Sequence, residues 1–515
     1  MSKVYPVGIQ NFEKIRKDDF FYIDKTALVY QLVKNGNYYF LSRPRRFGKS
    51  LLISTLEAYF EGKRELFEGL AIEKLEKDWV KRPVLHLDLN TQKYDSPESL
   101  EHILNVTLTG WEKLYGTEPT EIGLALRFQG IIQRAYEKTG HRVAILVDEY
   151  DKPMLQAIGN ETLQQSFRST LQAFYGALKS KDGCIKFAFL TGVTKFGKIS
   201  VFSALNNLMD LSMWNDYVAL CGITEQELRD NFKEGIEELA KAQRMTDEEV
   251  CAVLKENYDG YHFTEDSIGI YNPFSLLNTF AKRRFGNYWF ETGTPTYLVE
   301  LLKMHDYDLH EMAHVETDED TLNSIDSSST NPIPVIYQSG YLTIKGYDRR
   351  FGTYRLGFPN REVEEGFMKF LLPFYANTTK VDTAFHIQKF VREIESGDYD
   401  SFFRRLQSFF ADTPYELIRD LELHYQNVLF IVFKLIGFYV KAEYHTSNGR
   451  IDLVLQTNDF IYIMEFKLNG TAEEALRQIN EKNYAQPFAS DPRKLFKIGI
   501  NFSNETRNIE QWIVE

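Results

Sequence analysis

Short apolar runs alternate with amphipathic segments through the first part of the chain. Two runs, Val143–Val147 and Ile185–Leu190, are almost continuously apolar, which is typical of strands buried on both faces. Two others, Tyr38–Leu41 and Val84–Leu89, have the length and residue types of strands. The segments between the runs have the apolar spacing of helices, at 50–60, 97–138 and 161–179. The alternation over residues 36–192 therefore predicts the parallel sheet of an α/β protein.

Beyond this region the pattern changes. Residues 223–257 are charged and helical, whereas the Asp-, Ser- and Thr-rich stretch 315–333 predicts an exposed loop or linker. Ser339–Ile344 and Thr353–Gly357 predict a hairpin, which beside a helix would form a winged-helix-like module. Helical spacing returns at 361–420. The pattern predicts four regions: 1–220, 221–314, 315–420 and 421–515.

Composition narrows the class of protein. The 515 residues are 43% hydrophobic and 26% charged, with a net charge of -13, as in ordinary globular proteins. The acidic balance argues against a protein that coats nucleic acid over its whole surface, but it leaves a local basic groove open. The three cysteines have no paired spacing, so neither a disulfide framework nor a cysteine zinc site is indicated. Because the chain shows no signal-peptide pattern and no apolar run long enough for a bilayer, we expect a cytoplasmic protein without a membrane partner.

The segment Phe40–Leu56 has the order of a phosphate-binding loop: an apolar strand end, a basic loop and an apolar helix. In such a loop the first helical N–H groups face phosphates, a lysine supplies a mobile charge and a hydroxyl reaches Mg²⁺. Lys49 and Ser50 suit the last two roles. The match is partial, because Arg43 stands where the usual motif has glycine. The predicted nucleotide-binding residues of this segment are Arg45, Arg46, Phe47, Gly48, Lys49, Ser50 and Leu51.

Two acids, Asp148 and Glu149, follow the apolar strand at 143–147. Asp148 is predicted to hold Mg²⁺ with Ser50, and Glu149 to polarise the water that attacks the γ-phosphate of ATP. The two motifs together predict an ATP site more strongly than either does alone. Thr191 and Thr194, after the next strand, either sense the γ-phosphate or cap backbone groups.

Three arginines, Arg43, Arg45 and Arg46, crowd the phosphate loop. Guanidinium groups pair well with phosphates, so they would add charge where a glycine is missing. They would equally suit contact with a partner subunit or nucleic acid. Because Arg43 puts the loop conformation in question, ATP binding is better supported than hydrolysis.

A second charged cluster is predicted in the last region. Asp452 lies on one predicted strand, and Glu465 and Lys467 lie on the next, around a turn at 457–459. Pairing about this turn brings Asp452 beside Glu465, and the two-residue period of a strand puts Lys467 on the same face. Two carboxylates to hold Mg²⁺ and a lysine to orient or activate water suit phosphodiester hydrolysis. The alternative is a solvated strand face on which Glu465 and Lys467 pair.

Six segments carry a family resemblance: Arg43–Ser50, Asp148–Asp151, Leu190–Thr194, Phe202–Asn207, Tyr258–Tyr261 and Tyr271–Pro273. They resemble the bacterial AAA-ATPase-like proteins, in which an AAA+-related ATPase domain precedes a domain similar to PD-(D/E)xK nucleases. The resemblance covers almost the whole chain, and the arginine-rich loop is itself part of the family pattern. It implies a P-loop ATPase domain at 1–220, a helical lid at 221–314, a winged-helix-like and helical linker region at 315–420, and a nuclease-like domain at 421–515.

The resemblance also implies roles for residues of the last domain. The signature acid corresponds to Asp452, the E-x-K motif to Glu465 and Lys467, the polar helix residue to Gln478, and a following tyrosine to Tyr484. The accessory acid is either Glu422 or Glu443, and the sequence leaves both open.

Together these features predict an ATP-gated, Mg²⁺-dependent nuclease acting on nucleic acid, DNA in preference to RNA. A role in defence or mobile-element biology fits the resemblance. One alternative is a nucleotide-switched regulator that binds nucleic acid without cutting it. Another is an assembly ATPase, a homo-oligomer in which Lys195, Lys198 or an arginine reaches a neighbouring subunit's nucleotide.

Overall fold

The four N-terminal apolar runs form a parallel sheet, as predicted, and a short fifth strand that was not predicted joins one edge of it. Its strands are β1 (Tyr38–Ser42), β2 (Val84–Asp88), β3 (Val143–Asp148), β4 (Ile185–Gly192) and β5 (Met209–Asp210). Their order across the sheet is β2-β3-β4-β1-β5. Every residue of β1 and β3 is buried, in agreement with their apolar sequence. Because parallel strands end at one edge, the loops that follow β1, β3 and β4 meet there.

The structure is a computed structural model. It describes residues 4–195, 202, 207–291, 298–299, 301–302, 306–313, 315–323, 331–376, 378–411, 421–447, 450–468, 470–503 and 505–515. Of these, the side chains of 291, 313, 380–381, 421–422, 444–447 and 450–452 are not described. The chain divides into a first unit, Met1–Trp289 with Glu316–Arg361, and a second unit, Phe290–Val315 with Glu362–Glu515. The four predicted regions remain predictions.

Helices fill most of the remaining described chain. The α-helices are Phe12–Lys17, Thr26–Asn35, Lys49–Phe60, Ala71–Leu75, Pro97–Tyr115, Leu124–Thr139, Lys152–Gln156, Glu161–Ser180, Glu225–Asn231, Lys233–Gln243, Asp247–Tyr258, Pro273–Lys282, Tyr288–Glu291, Glu319–Asn323, Ile333–Gln338, Arg361–Tyr375, Lys380–Ser396, Tyr399–Ala411, Leu421–Gly437 and Ala472–Glu481. Short 3-10 turns occur at Arg64–Phe67, Asp182–Cys184, Asn215–Leu220, Leu309–Ala313 and Gln486–Phe488. Among the described residues, no helix is both long and apolar enough to cross a membrane.

The helices between 225 and 282 share a core of their own. Phe232, Leu239 and Phe280 belong to it. Two short strands, β6 (Ile223–Thr224) and β7 (Ile270–Tyr271), pair antiparallel beside these helices. Residues from the N-terminal segment, Tyr5, Phe21 and Ile23, pack against the same core. The N-terminal segment is thus anchored to the helical region rather than left as a separate arm.

The predicted hairpin is present as β9 (Thr343–Asp348) and β10 (Thr353–Gly357). A third strand, β8 (Glu316–Asp318), pairs with β10. The prediction of a loop for all of 315–333 was therefore wrong at β8 and at the helix Glu319–Asn323. Residues 324–330 of that stretch lie outside the described residues.

The second unit contains a mixed five-stranded sheet. Its strands are β11 (Lys441–Ser447), β12 (Arg450–Gln456), β13 (Phe460–Leu468), β14 (Lys494–Ser503) and β15 (Asn508–Val514), in that order. Only β13 and β14 pair in parallel. The helix Ala472–Glu481 packs on one face, over a cluster that contains Ile461, Ile463 and Ile479. Of the predicted nuclease residues, Asp452 lies on β12, Glu465 and Lys467 lie on β13, and Gln478 lies on this helix.

Candidate nucleotide and nuclease sites

The phosphate loop, residues 43–48, joins β1 to the helix Lys49–Phe60. Gly48 has φ of 94°, a left-handed conformation that favours glycine. A Cβ at Gly48 would meet nothing within 4 Å, so the backbone turn and not crowding requires the glycine. Since glycine has no side chain to cap the helix, the first N–H groups are left for a ligand.

Lys49 is buried at the base of this loop, 4% exposed. Its Nζ donates to the backbone carbonyls of Arg43 (3.1 Å) and Pro44 (3.2 Å). The same Nζ lies 3.4 Å from Oε1 of Glu149, which has φ of 57°. The structure thus brings the predicted phosphate lysine and the predicted base together. A phosphate bound here would compete with the loop carbonyls and Glu149 for the same amine.

The two threonines at and just after the end of β4, Thr191 and Thr194, each donate to a carboxylate at or after the end of β3. Thr191 Oγ1 donates to Asp148 Oδ1 at 2.6 Å, which fixes the predicted Mg²⁺ ligand. Thr194 donates to Asp151 Oδ2 through its N–H (2.6 Å) and its Oγ1 (2.7 Å). Thr191 Oγ1 also donates to the backbone carbonyl of Val147 at 3.4 Å. The role of sensing the γ-phosphate remains a prediction.

Asp151 is a residue of this site to which the sequence assigned no role. It is fully buried, and its Oδ1 also accepts from the N–H of Val193 at 3.2 Å. Burial, followed by repulsion from Glu149, raises the pKa of Asp151 to about 6. The signal in the sequence was a third acid in the run Asp148–Asp151, for which the ATP chemistry assigned to the first two acids had no role.

The three loop arginines lie over aromatic rings of the same unit. The guanidinium carbon of Arg43 lies 3.9 Å from the ring centre of Phe263, and that of Arg46 lies 5.1 Å from the ring of Phe274. Arg45 lies 5.7 Å from the ring of Trp289. Arg43 is only 1% exposed. The guanidinium of Arg43 is therefore packed against protein. This position does not agree with the prediction that Arg43 adds positive charge for the phosphates.

An apolar cavity opens beside the phosphate loop. Phe47, Gly48 and Leu51 line one side, and the other walls are Pro6, Ile15, Phe21, Tyr22, Ile23, Lys25, Val29, Leu52, Thr55, Leu220, Cys221, Gly222, Ile223, Pro273 and Leu277. The space between these walls, including the part open to solvent, is about 680 Å³. The cavity therefore borders the loop that is predicted to bind the phosphates.

A partly buried ion pair joins the N-terminal segment, which lines this cavity, to the helical region. Nζ of Lys25 lies 2.6 Å from both carboxylate oxygens of Glu227. Glu227 also forms a reciprocal cap with Thr224 at the start of the helix Glu225–Asn231. Burial lowers the pKa of Lys25. The N-terminal segment and the helical region are therefore held in one arrangement around the cavity.

Lys195 and Lys198 were considered as residues that reach the nucleotide of a neighbouring subunit. The structure describes only Lys195 of the two. Lys195 is 5% exposed, and its Nζ lies 2.9 Å from Asp210 Oδ2 and 2.5 Å from Asn323 Oδ1. These contacts lie within its own chain and leave the amine poorly placed to reach another subunit. Lys198 lies outside the described residues, and the homo-oligomer remains a prediction.

In the second unit, β12 and β13 pair in the register that the sequence predicts. Asp452 stands directly opposite Glu465 in the antiparallel ladder. The turn between the strands falls at 457–459. The side chain of Asp452 lies outside the described part of the chain, so its position is known from the backbone register alone.

The side chains of Glu465 and Lys467 on β13 meet the side chain of Gln478 on the helix Ala472–Glu481. Glu465 is fully buried, and its Oε1 lies 3.8 Å from Nζ of Lys467. Nζ of Lys467 donates to Oε1 of Gln478 at 2.5 Å. The solvated strand face considered as the alternative does not fit, because Glu465 has no exposed surface. The Gln478 side chain fixes the lysine next to the buried carboxylate.

The two candidates for the accessory acid remain open. Glu443 is exposed and lies 3.1 Å from Nζ of Lys441. Its partner in the register is Val454, two residues from Asp452. The side chain of Glu422 lies outside the description. Tyr484 is partly buried and packs on the apolar cluster under the helix.

Two residues of β14 were not predicted but shape this site. Gly499 pairs with Glu465, and a Cβ there would collide with the backbone oxygen of Ala472. Asn501 pairs with Lys467 and is buried, with its Nδ2 donating to Glu510 at 3.1 Å. No local sequence pattern marks either residue, because both matter through a neighbouring strand or helix.

The nuclease residues fit a divalent cation. Buried carboxylates are costly without a cation, and Mg²⁺ prefers carboxylate oxygens. Glu465 is such a carboxylate, and the register sets Asp452 opposite it. Among the described side chains no group of three or more metal-ligating residues occurs, so this donor set depends on Asp452. In the first unit, Asp148 and Ser50 have the oxygen ligands suited to Mg²⁺ bound with ATP.

Comparisons with known proteins agree with this geometry. The model of a family described as predicted AAA-ATPase matches residues 6–202, and a model of the PD-(D/E)XK nuclease superfamily matches residues 420–512. The chain is 35% identical over 525 residues to a protein of Azotobacter chroococcum mcd 1, named "Uncharacterized protein in vnfD 5'region". That similarity covers 100% of this chain and 99% of the other. The chain therefore belongs to the AAA-ATPase-like family and carries a C-terminal domain of the PD-(D/E)XK nuclease superfamily.

Proposed function

We propose that this protein is an ATP-gated, Mg²⁺-dependent nuclease that cuts phosphodiesters of nucleic acid, DNA in preference to RNA. The observation that carries the proposal is the convergence of Glu465, Lys467 and Gln478 on one sheet face, with Asp452 in register opposite Glu465. A buried carboxylate beside a fixed lysine suits phosphoryl chemistry better than it suits a structural role.

The chain's own residues have definite tasks in cleavage. Bound Mg²⁺ would polarise the phosphate and lower the pKa of a water molecule. Glu465 and Asp452 would hold that ion. Lys467, kept in place by Gln478, would orient the attacking water or stabilise the charge that develops on the phosphate.

The nucleotide site has a corresponding division of tasks. Lys49 would exchange the carbonyls of Arg43 and Pro44 for phosphate oxygens, which releases Glu149 from its ion pair. Glu149 would then be available to accept a proton from water at the γ-phosphate. Asp148, held by Thr191, would bind Mg²⁺ with Ser50.

Contacts of the phosphate loop support gating by ATP. Trp289 Nε1 donates to the carbonyl oxygen of Arg45 at 3.0 Å, and Arg45 Nη2 donates to the hydroxyl of Tyr341 at 3.0 Å. Trp289 is the last residue of the first unit before the chain enters the second at Phe290. Tyr341 belongs to the other segment of the first unit, Glu316–Arg361, after which the chain enters the second unit again. A loop movement on ATP binding would therefore act on both segments that lead to the nuclease domain.

The test is a cleavage assay with single-stranded DNA, double-stranded DNA and RNA, each with and without Mg²⁺ and ATP. We expect Mg²⁺-dependent cutting that ATP increases and that Glu465→Gln abolishes. Glu481→Gln, which alters an exposed glutamate on the neighbouring helix, is the matched control and should cut normally. A non-hydrolysable ATP analogue separates gating by binding from gating by hydrolysis.

Other outcomes decide against the proposal. Equal cutting by wild type and Glu465→Gln would show that another site, or a contaminant, is responsible. Binding of nucleic acid in EDTA with no cutting of any substrate would instead favour the nucleotide-switched regulator.

A further inference from the structure

A second cavity lies on the other side of the phosphate loop, within the first unit. Its walls are Ser42, Arg43, Pro44, Lys195, Ser212, Met213, Tyr261, His262, Phe263, Tyr337, Gln338, Leu342 and Thr343. The space between them, including the part open to solvent, is about 410 Å³. Apart from Arg43 and Pro44 of the phosphate loop, none of these residues belongs to the predicted ATP site. The cavity is also more polar in its residues than the apolar cavity beside Gly48.

The side chain of Arg43 lines this cavity, and one edge of its guanidinium has no hydrogen-bond partner within the described structure. Its Nη1 donates to the carbonyls of Ser42 (3.0 Å) and Ser212 (2.8 Å), and Phe263 covers one face of the guanidinium. Nε and Nη2 are buried and have no hydrogen-bond partner within the described structure. These two nitrogens share the edge of the guanidinium whose N–H bonds are parallel. That edge matches two oxygens of a carboxylate or phosphate.

The charges around the cavity do not balance. Arg43 forms no ion pair with any described carboxylate, and Lys195 is already matched by Asp210 at 2.9 Å. Burial lowers the pKa of Arg43 to about 10, so the guanidinium is still charged at neutral pH. A buried cation without an anionic partner is strongly disfavoured. Among the residues that the structure describes, the cavity therefore lacks one negative charge.

We propose that this cavity binds a small free oxyanion, such as inorganic phosphate, through Nε and Nη2 of Arg43. The site is distinct from the place of the ATP phosphates. The carbonyl of Arg43 accepts from Lys49 on the nucleotide side, while its side chain runs to Ser212 and Phe263. An oxyanion here would fix residue 43 and, through its carbonyl, the resting position of the Lys49 amine. The inference does not depend on nuclease activity.

Titration calorimetry of the full chain with inorganic phosphate tests the proposal, with chloride holding the ionic strength constant. Three proteins are compared: wild type, Arg43→Lys and Lys49→Ala. Arg43→Lys keeps the charge but loses the two-nitrogen edge, whereas Lys49→Ala disables the ATP phosphate site. We expect Lys49→Ala to retain phosphate binding within a few-fold of wild type, and Arg43→Lys to bind at least about tenfold more weakly, the loss expected for one charged hydrogen bond.

Two results would overturn the site. One is a wild-type protein that binds no phosphate. The other is binding that Lys49→Ala loses and Arg43→Lys keeps, since the anion would then occupy the nucleotide loop. If Arg43→Lys fails to fold, the proposal is tested by thermal unfolding of wild type and Lys49→Ala. The Tm of each protein in phosphate is compared with its Tm in chloride. Phosphate must raise the Tm of both proteins, and a rise in neither, or in wild type alone, rejects the proposal.

Discussion

Lys49 Nζ and Glu149 Oε1 lie 3.4 Å apart, at the meeting point of the loops that follow β1 and β3. Both side chains are largely buried, so water weakens their attraction less than it would at the surface. The pair keeps the predicted phosphate ligand and the predicted base in contact with each other. Each can take up its proposed task only when a phosphate replaces this contact.

Lys49→Ala should weaken ATP binding by roughly 10- to 100-fold, because a charged hydrogen-bond donor to phosphate is lost. The measurement is equilibrium binding of a fluorescent ATP analogue. Lys17→Ala is the control, since Lys17 is exposed and pairs only with Glu13 one turn away. Unchanged affinity in Lys49→Ala would place the nucleotide elsewhere.

Glu149→Gln should leave ATP binding within a few-fold of wild type and reduce turnover by about 10²–10⁴-fold, the usual contribution of a general base. Release of inorganic phosphate from ATP measures turnover, and the fluorescent analogue measures binding. A variant that hydrolyses ATP at the wild-type rate would remove Glu149 from the chemistry. A wild-type protein that binds ATP without turnover would limit the loop to signalling.

Asp151 predicts a pH dependence of stability. Its pKa is raised to about 6 by burial and by Glu149, whereas an unfolded aspartate ionises near 4. Below about pH 4, Asp151 is protonated in both the folded and the unfolded state. The stabilisation that comes from its raised pKa is therefore fully present there. As the pH rises to about 6 the unfolded chain releases its proton first, and stability on the order of 3 kcal/mol is lost.

Asp151→Asn removes this titration. We expect the Tm of wild type to fall relative to that of the variant between about pH 4 and 6, and their difference to stay constant above pH 7. Thermal unfolding across this pH range is the measurement. Two curves that remain parallel from pH 4 to 8 would show that Asp151 does not titrate as described.

The elements predicted correctly are those with a strong local signal. β3 is a continuous apolar run with every residue buried. The register of Asp452 with Glu465 followed from a short turn and the two-residue period, because a shift by one residue would reverse every side chain. β8 had no such signal, since Glu316 and Asp318 are exposed and the strand exists only through pairing with β10.

The candidate sites show the same limit. Lys467 was placed beside Glu465 from their spacing on one strand, and the helix residue Gln478 completes the group. The position of Arg43 was not predictable, because its contacts with Ser212 and Phe263 join residues far apart in the sequence. Long-range packing of a single polar side chain leaves no periodic pattern to detect.

Gln478→Leu should reduce cleavage by about tenfold or more while nucleic acid binding persists. Leucine has a similar size but no acceptor for Lys467 Nζ, so the amine loses its orientation beside Glu465. Arg477→Ala is the control, because Arg477 is exposed on the same helix and pairs only weakly with Glu481. Cleavage rates under single-turnover conditions measure the effect. An equal loss in both variants would point to the helix as a whole rather than to the lysine contact.

Gly499→Ala tests whether the helix Ala472–Glu481 must sit against β14 for the nuclease residues to meet. The added Cβ would collide with the oxygen of Ala472 and lie 2.5 Å from the nitrogen of Leu476, both in the helix backbone. Backbone cannot rotate away as a side chain can, so we expect a loss of about 1–3 kcal/mol of stability and of most cleavage. Gly437→Ala is the matched control, because its Cβ would make only an ordinary 3.5 Å contact with Ala442 at a helix end. Urea unfolding and cleavage rates compare the two variants. Normal cleavage by Gly499→Ala would mean that the helix moves without disturbing Gln478 and Lys467.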